Sequence, residues 1–212
     1  CKRPTFHDES LPVFNEPHVT LVDTAPLGVR EINEHGIVHD GVEYQLDVLI
    51  YATGFKWMGT SSFNMVKGRN GQTLTEKWRR HGTKTYLGIH SRGFPNLFIV
   101  SGPQGGGGQF NFIRVIDAHT DYVTWMMKTM RERGAGIVDV YAEPEETYAA
   151  HCREADIRTR PLRDCISYYN DEGNAEPGSL AYYGGPEKWH ELRNAAQESL
   201  DAFIFEPAPM DS

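Results

Sequence analysis

The 212-residue chain carries a formal net charge of −8, with 39% hydrophobic and 24% charged residues, ordinary proportions for a globular protein large enough to bury a real core. The acidic balance gives nucleic-acid binding no electrostatic support, and no apolar run is long enough to span a bilayer. Three cysteines, Cys1, Cys152 and Cys165, lack metal-ligand spacing and cannot all pair, which fits a reducing, cytoplasmic setting.

In chain order, Val19–Thr24 reads as a strand. Val29–Ile32 and Gly36–His39 are expected to pair with Val42–Gln45 through an Asp40-Gly41 turn, a strong hairpin signal. The run Asp47-Val-Leu-Ile-Tyr-Ala52 is almost wholly apolar and ends in Thr53-Gly54-Phe55. Such a run suits a central strand buried on both faces of an α/β sheet. Beyond its carboxyl end, Gly54 lets the backbone approach a ligand and Thr53 offers a hydroxyl. Residues 56–95 are polar and glycine-rich, with a short helix expected over Thr75–His81. Asn96-Leu-Phe-Ile-Val100 reads as a second apolar strand running into Ser101-Gly-Pro-Gln104 and then four glycines, Gly105 to Gly108.

A long helix follows. Phe112, Ile113, Ile116, His119, Val123, Met126, Met127 and Met130 form its apolar stripe, and Gly134 closes it. Ile137–Val140 is a strand candidate. Pro144 with Glu145 and Glu146 opens a helix running to about Arg158. Residues 159–186 read as loop and Glu187–Leu200 as the last helix. The chain begins on Cys1 rather than methionine and holds no Gly-x-Gly-x-x-Gly after a strand, so the expectation is a piece of a longer polypeptide with its nucleotide fingerprints upstream.

In an α/β sheet the two strand ends, at Ala52-Thr53-Gly54 and at Gly102-Pro103, are expected to converge on one crevice. Glycines ahead of the long helix free backbone N–H groups at its positively polarised start. That environment suits a phosphate or the electron-rich carbonyl edge of a flavin. It is not a P-loop, because no Gly-Lys-Ser/Thr follows. Lys2 and Arg3 read either as solvated surface charge or as a point charge for a ribose-phosphate beside a fork for a developing anion. The tyrosines at 168–169 and 182–183 read equally as stacking platforms or as packing under a loop. His119 reads as a packed residue. No His, Cys and carboxylate set has metal spacing, and no Gly-x-Ser-x-Gly is present.

Six segments taken in order carry a resemblance. They are Cys1-Lys-Arg-Pro4, Phe14-Asn15 with Val19-Thr-Leu-Val-Asp23, Asp47 to Phe55, Thr85-Tyr-Leu-Gly88, Gly93-Phe-Pro-Asn-Leu-Phe98, and Gly102-Pro103. Together they resemble the C-terminal part of Baeyer–Villiger monooxygenases, flavoprotein oxygenases that use FAD and NADPH. The resemblance implies a partial Rossmann-like α/β architecture. Residues 1–55 would be the C-terminal part of an NADP-binding domain. Residues 56–212 would be the C-terminal part of an FAD-binding domain with a C-terminal loop and helix.

The resemblance also implies roles. Lys2 would contact NADP, and Arg3 would be the catalytic arginine beside the anion that develops during oxygen insertion. Ala52, Thr53 and Gly54 would lie at the join of the two domains. Gly102, Pro103, Gln109, Asn111 and Phe112 would flank the cofactor, with the helix start aimed at the flavin pyrimidine edge. Gly107, Gly108 and Phe110 would line the substrate pocket. Tyr168 stands where the family often has a tryptophan on the nicotinamide side. The implied partners are a small-molecule ketone, O2 and the missing N-terminal portion of the same protein, and the 212 residues alone are expected to be inactive. A related flavin monooxygenase that oxidises nitrogen or sulfur, and a non-catalytic α/β binding module, are the alternative readings.

Overall fold

The structure is a computed structural model that describes residues 7–54, 61–106, 111–156, 178 and 180–208. The chain divides into two units, Pro4–Phe55 and Cys1–Arg3 with Lys56–Ser212.

The smaller unit is built on the expected hairpin. Strands β1 (Glu31–Ile32), β2 (Gly36–His39) and β3 (Val42–Gln45) form an antiparallel sheet in that order, with His39 opposite Val42. Asp40 and Gly41 take φ of 49° and 76°. Two consecutive positive φ values define the tight turn whose twist matches the flanking strands. Glycine takes that conformation without steric penalty and aspartate tolerates it.

Two expected strands in this unit do not form. Val19–Thr24 and Asp47–Ala52 join no ladder among the described residues. Val48 is 73% exposed and Ile50 81%. An apolar run becomes a buried strand only when neighbouring strands satisfy its N–H and C=O groups and cover its faces. Hydrophobicity alone does not supply those neighbours.

The larger unit holds helices α1 (Ser61–Met65), α2 (Leu74–His81), α3 (Phe112–Glu132), α4 (Ala142–Asp156) and α5 (Pro186–Ser199), with strands β4 (Ile137–Val140) and β5 (Phe203–Glu206). The starts of α2 and α3 follow local chemistry. Thr73 and Glu76 form a reciprocal capping box on α2. Asn111 caps α3 by accepting the N–H groups of Ile113 and Arg114. At the far end of α3, Ala135 N–H reaches Met130 O and Gly134 N–H reaches Arg131 O. That pair of bonds is the Schellman closure that the sequence signals through Gly134.

The buried face of α3 is Val115, His119, Tyr122, Met126 and Thr129, a four-three-four-three spacing. The stripe expected from hydrophobicity holds in part: His119 and Met126 are buried, whereas Phe112, Ile113 and Met127 are exposed. The buried stripe also includes Tyr122 and Thr129, whose polar atoms need internal partners and which an apolar count passes over. Tyr122 and Met126 enter one buried cluster with Val138 and Val140 of β4, Tyr148 and Cys152 of α4, Trp189 of α5 and Phe203 of β5. Leu74, Trp78, Phe94 and Ile99 form a second cluster.

Strands β4 and β5 pair antiparallel from Ile137↔Glu206 to Val140↔Phe203. The sequence reading found β4 and missed β5. The third strand expected here, Asn96–Val100, is not one. Asn96 takes φ 58°, donates its N–H to Val138 O, and accepts Val138 N–H on its side-chain oxygen. A carboxamide thus replaces the backbone carbonyl that a ladder would use. Ile99 N–H goes to Ile89 O instead.

A buried ion pair ties α2 to α4. Lys77 Nζ lies 2.7 Å from Glu145 Oε1 and also donates to Ser91 Oγ and Arg92 O. Glu145 in turn accepts Arg92 N–H at 2.7 Å. Burial pulls the Lys77 pKa down and Glu145 opposes that pull. Glu145→Gln leaves the ammonium buried without its counter-charge and is expected to destabilise the fold by about 3–5 kcal/mol, read as a lowered urea midpoint. A midpoint within the scatter of wild type contradicts this.

Candidate functional site

The candidate site is assembled where the Thr83–Gly88 loop, the Ser101–Gly106 turn and the start of α3 meet. The chain reaches the turn from the second apolar segment and leaves it into the glycine run, so the turn sets where that run begins.

Gln104 occupies the centre of the turn and is buried. Its Oε1 accepts Thr85 N–H at 2.9 Å and Thr85 Oγ1–H at 2.7 Å. Its Nε2 donates to Thr83 O at 3.1 Å and to Gly178 O at 2.7 Å. The main chain of the same residue is held as well: Gln104 N–H donates to Leu180 O, and Tyr148 OH donates to Gln104 O. Every polar atom of a buried carboxamide is therefore matched, as burial demands.

His119 approaches from α3. Its Nδ1 accepts Ser101 N–H at 3.1 Å. That backbone donor leaves the ring proton on Nε2, which donates to Gly105 O at 3.2 Å. The ring stacks on Trp189 at 5.1 Å, and Trp189 Nε1–H donates to Leu87 O. Burial pulls the His119 pKa down to about 4.

The start of α3 differs from the buried turn. Phe112 and Ile113 are 54% and 63% exposed. No acidic residue lies in the first turn, so the positive end of the helix dipole is not neutralised by a local carboxylate. Two exposed apolar side chains beside that positive end suit a flat, apolar ring system with an electron-rich edge.

The residues singled out from sequence fall in three groups. Lys2, Arg3, Gly107, Gly108, Gln109, Phe110 and Tyr168 lie outside the described residues. Ala52, Thr53 and Gly54 are exposed residues of the smaller unit. Gly102 and Pro103 lie in the Ser101–Gly106 turn, and Asn111 and Phe112 lie at the α3 start. Pro103 is fully buried, and Gly102 O accepts Gly105 N–H. The Asn111 side chain spends its oxygen on the helix cap.

Gln104, His119, Thr85 and Tyr148 were not marked as site residues from sequence. The only signal was a glutamine inside an otherwise Gly/Pro turn. Tyr182, read as a stacking platform or as packing, takes the packing role: it is buried, stacks on Tyr148 at 5.9 Å and meets His151 Nε2 at 2.9 Å. Burial raises the Cys152 thiol to about 12, which keeps it an inert packed group. Among the described residues no cluster of three or more His, Cys, Asp or Glu could hold a metal ion. None of their helices is long and apolar enough to cross a membrane.

No protein-family profile matches the chain. Over 96% of its length it is 38% identical to a Baeyer-Villiger monooxygenase of Streptomyces coelicolor, covering 35% of that protein. It is 34% identical over 95% of its length to the FAD-binding monooxygenase hmp7 of Hypomyces subiculosus, covering 34% of it. Among solved structures, the polycyclic ketone monooxygenase of Thermothelomyces thermophila superposes with a TM-score of 0.84 at 32% identity, over 98% of this chain and 35% of that one. An oxidised steroid monooxygenase bound to NADP superposes with a TM-score of 0.79 at 29% identity, over 94% of this chain and 37% of that one. The chain thus spans about a third of the length of the relatives it matches, and it has their α/β fold over that span.

The buried histidines set an acid limit. Burial holds His119 at about 4 and His90 at about 3, both below the ordinary 6.5. Between those values the unfolded chain binds more protons than the folded one. Stability is therefore full above about pH 6.5 and falls as the pH drops toward 4 and below. His119→Gln is expected to remove on the order of 3 kcal/mol of that acid-dependent loss, seen as a shallower fall of the urea midpoint between pH 6.5 and 4. An unchanged slope would show that the His119 ring already titrates normally.

Proposed function

The chain belongs to the Baeyer–Villiger monooxygenase family, spanning about a third of its relatives' length, and from that membership we propose that the intact protein uses FAD and NADPH to insert one atom of O2 beside a ketone carbonyl. The product is an ester or lactone. One observation on this chain carries the reading: a turn held by buried hydrogen bonds precedes a helix start whose Phe112 and Ile113 are exposed and whose first turn holds no acidic residue.

Those residues fit a flavin. The positive end of α3 complements the electron-rich pyrimidine edge, and Phe112 offers apolar surface to the ring. When bound, FAD supplies electron transfer from NADPH to O2. Gly102, Pro103, Gln109, Asn111 and Phe112 are assigned to the flavin side, and Gly107, Gly108 and Phe110 to the ketone. Arg3, always charged, stabilises negative charge developing on oxygen. Lys2 holds the NADP phosphate-ribose as a point charge, and Tyr168 lies toward the nicotinamide. Ala52, Thr53 and Gly54 mark the join between an NADP-binding part, residues 1–55, and an FAD-binding part, residues 56–212.

The exposed apolar side chains of the smaller unit, Leu21, Val48, Ile50 and Tyr51, support a further reading. Preceding chain of the same protein completes the sheet there and brings the nucleotide fingerprints. The free Cys152 thiol supports a cytoplasmic setting. The names of similar proteins agree with this chemistry: one is called FAD-binding, one is bound to NADP, and one acts on polycyclic ketones.

The deciding experiment gives the full-length protein FAD, NADPH and O2 with a panel of cyclic ketones and thioethers. Esters or lactones are expected. Sulfoxides alone would move the protein to heteroatom oxidation, and failure to bind flavin would overturn the proposal. Arg3→Ala is expected to leave NADPH-driven flavin reduction within a few-fold of wild type while oxygen insertion falls by about a hundredfold or more. Unchanged ketone turnover would return Arg3 to the solvated surface. Lys2→Ala is expected to raise the KM for NADPH by about tenfold, a loss of ~1.4 kcal/mol, and an equal KM would remove that role.

A further inference from the structure

The Ser101–Gly106 turn is held by more interactions than a short connection requires. Ser101 and Gln104 take φ of 55° and 61°, a left-handed conformation that penalises any residue with a Cβ. Such strain persists only where the surroundings over-determine it, and it concentrates at functional sites. Here the surroundings are the four side-chain bonds of Gln104 and the two-ended grip of His119 on Ser101 N–H and Gly105 O.

The packing is equally tight. A Cβ on Gly105 would stand 2.7 Å from His119 Cε1, and one on Gly88 would stand 2.1 Å from Gly105 Cα. Gly88, Gly105, His119 and Trp189 therefore lie in successive contact, and nothing bulkier fits between the loop and α3. Tyr182 N–H donates to Gly106 O at 3.3 Å, which fixes the second glycine of the run. His119 sits on α3 itself, two turns in from the exposed Phe112. Any slip of the turn along the helix breaks both of its bonds.

We propose that His119 and Gln104 are positioning residues for oxygen insertion: together they lock the register between the Ser101–Gly106 turn and α3, and so fix where the helix start stands against the flavin. This rests on the flavin-facing reading of α3 above. Both side chains are buried and act through the backbone they hold. A loosened turn would leave the helix start misplaced, and reducing equivalents from NADPH would then pass to O2 without oxygen insertion into the ketone. The balance of that side reaction is NADPH + H⁺ + O2 giving NADP⁺ + H2O2.

The test uses the full-length protein with saturating ketone. It measures the H2O2 released per NADPH oxidised, together with the dissociation constant of FAD from fluorescence on reconstitution. His119→Leu loses both bonds and is expected to raise the H2O2 fraction several-fold and lower kcat for ketone about tenfold, with the KM for NADPH unchanged. His119→Gln keeps an N–H for Gly105 O and is expected to recover most of the coupling. Thr85→Val removes one bond to Gln104 at nearly constant shape and is expected to give a smaller rise in the same direction, which serves if His119→Leu does not fold. Met126→Ala, a cavity in the same core away from the turn, is the control for general loosening and keeps the wild-type ratio.

An unchanged H2O2 fraction in the His119 and Thr85 variants, with FAD still bound, overturns the positioning role and leaves the flavin reading intact. An equal rise in Met126→Ala overturns it as well. A wild-type protein that binds no FAD overturns the flavin reading first and this inference with it.

Discussion

Buried Gln104 joins the Thr83–Thr85 loop and Gly178 through its carboxamide, and Leu180 and α4 through its main chain, to one turn. Its two N–H bonds and two accepted bonds are all made inside the protein, and its main chain binds Leu180 and Tyr148 in addition. Each bond contributes modestly, because folding exchanges it for water. Leaving any one partner unmatched costs about 1–3 kcal/mol, since the group stays buried. A network of this kind therefore tolerates one arrangement and penalises its neighbours. Much of the larger unit's geometry near the candidate site follows from that intolerance. Ser101 and Gln104 accept strained φ values, Gly88 and Gly105 come into backbone contact, and His119 is held as a neutral ring.

The contrast between the two faces of α3 gives this rigidity a purpose. The inner face carries His119 and Tyr122, buried and hydrogen-bonded, the latter to His90 at 3.0 Å. The outer face at the helix start carries Phe112 and Ile113 in the open. Electrostatic help from a helix start falls off within about a turn, so its usefulness to a ligand depends on holding that turn in place. His119 bonds the Ser101–Gly106 turn from the inner face, so Phe112 and Ile113 stay exposed.

Local chemistry made parts of this fold legible. Asp40-Gly41 specifies its hairpin by backbone preference alone. Thr73 with Glu76, and Gly134 after Arg133, mark helix ends by bonds made within a few residues. Elements that depend on distant neighbours depart from the expectation of their local sequence. Asp47–Ala52 and Asn96–Val100 have strand composition, yet the first joins no ladder among the described residues and the second uses the Asn96 side chain to dock on β4. β5 was overlooked because Phe203-Ile-Phe-Glu206 is short and gains its identity only beside β4. The same division holds for the site. Motif order revealed the family, and the glycine run directed attention to the start of α3. The clamp stayed hidden, because Gln104 and His119 are fifteen residues apart on elements whose register only the folded chain sets.

Backbone amide exchange tests the rigidity of the Ser101–Gly106 turn most directly. The N–H groups of Ser101, Gln104 and Gly105 are each matched to an internal acceptor. They are expected to exchange as slowly as those of β4, with Ser101 turning fast once the pH falls below about 4 and the His119 ring takes a proton. Exchange at the rate of an open loop at neutral pH would contradict the account at its centre.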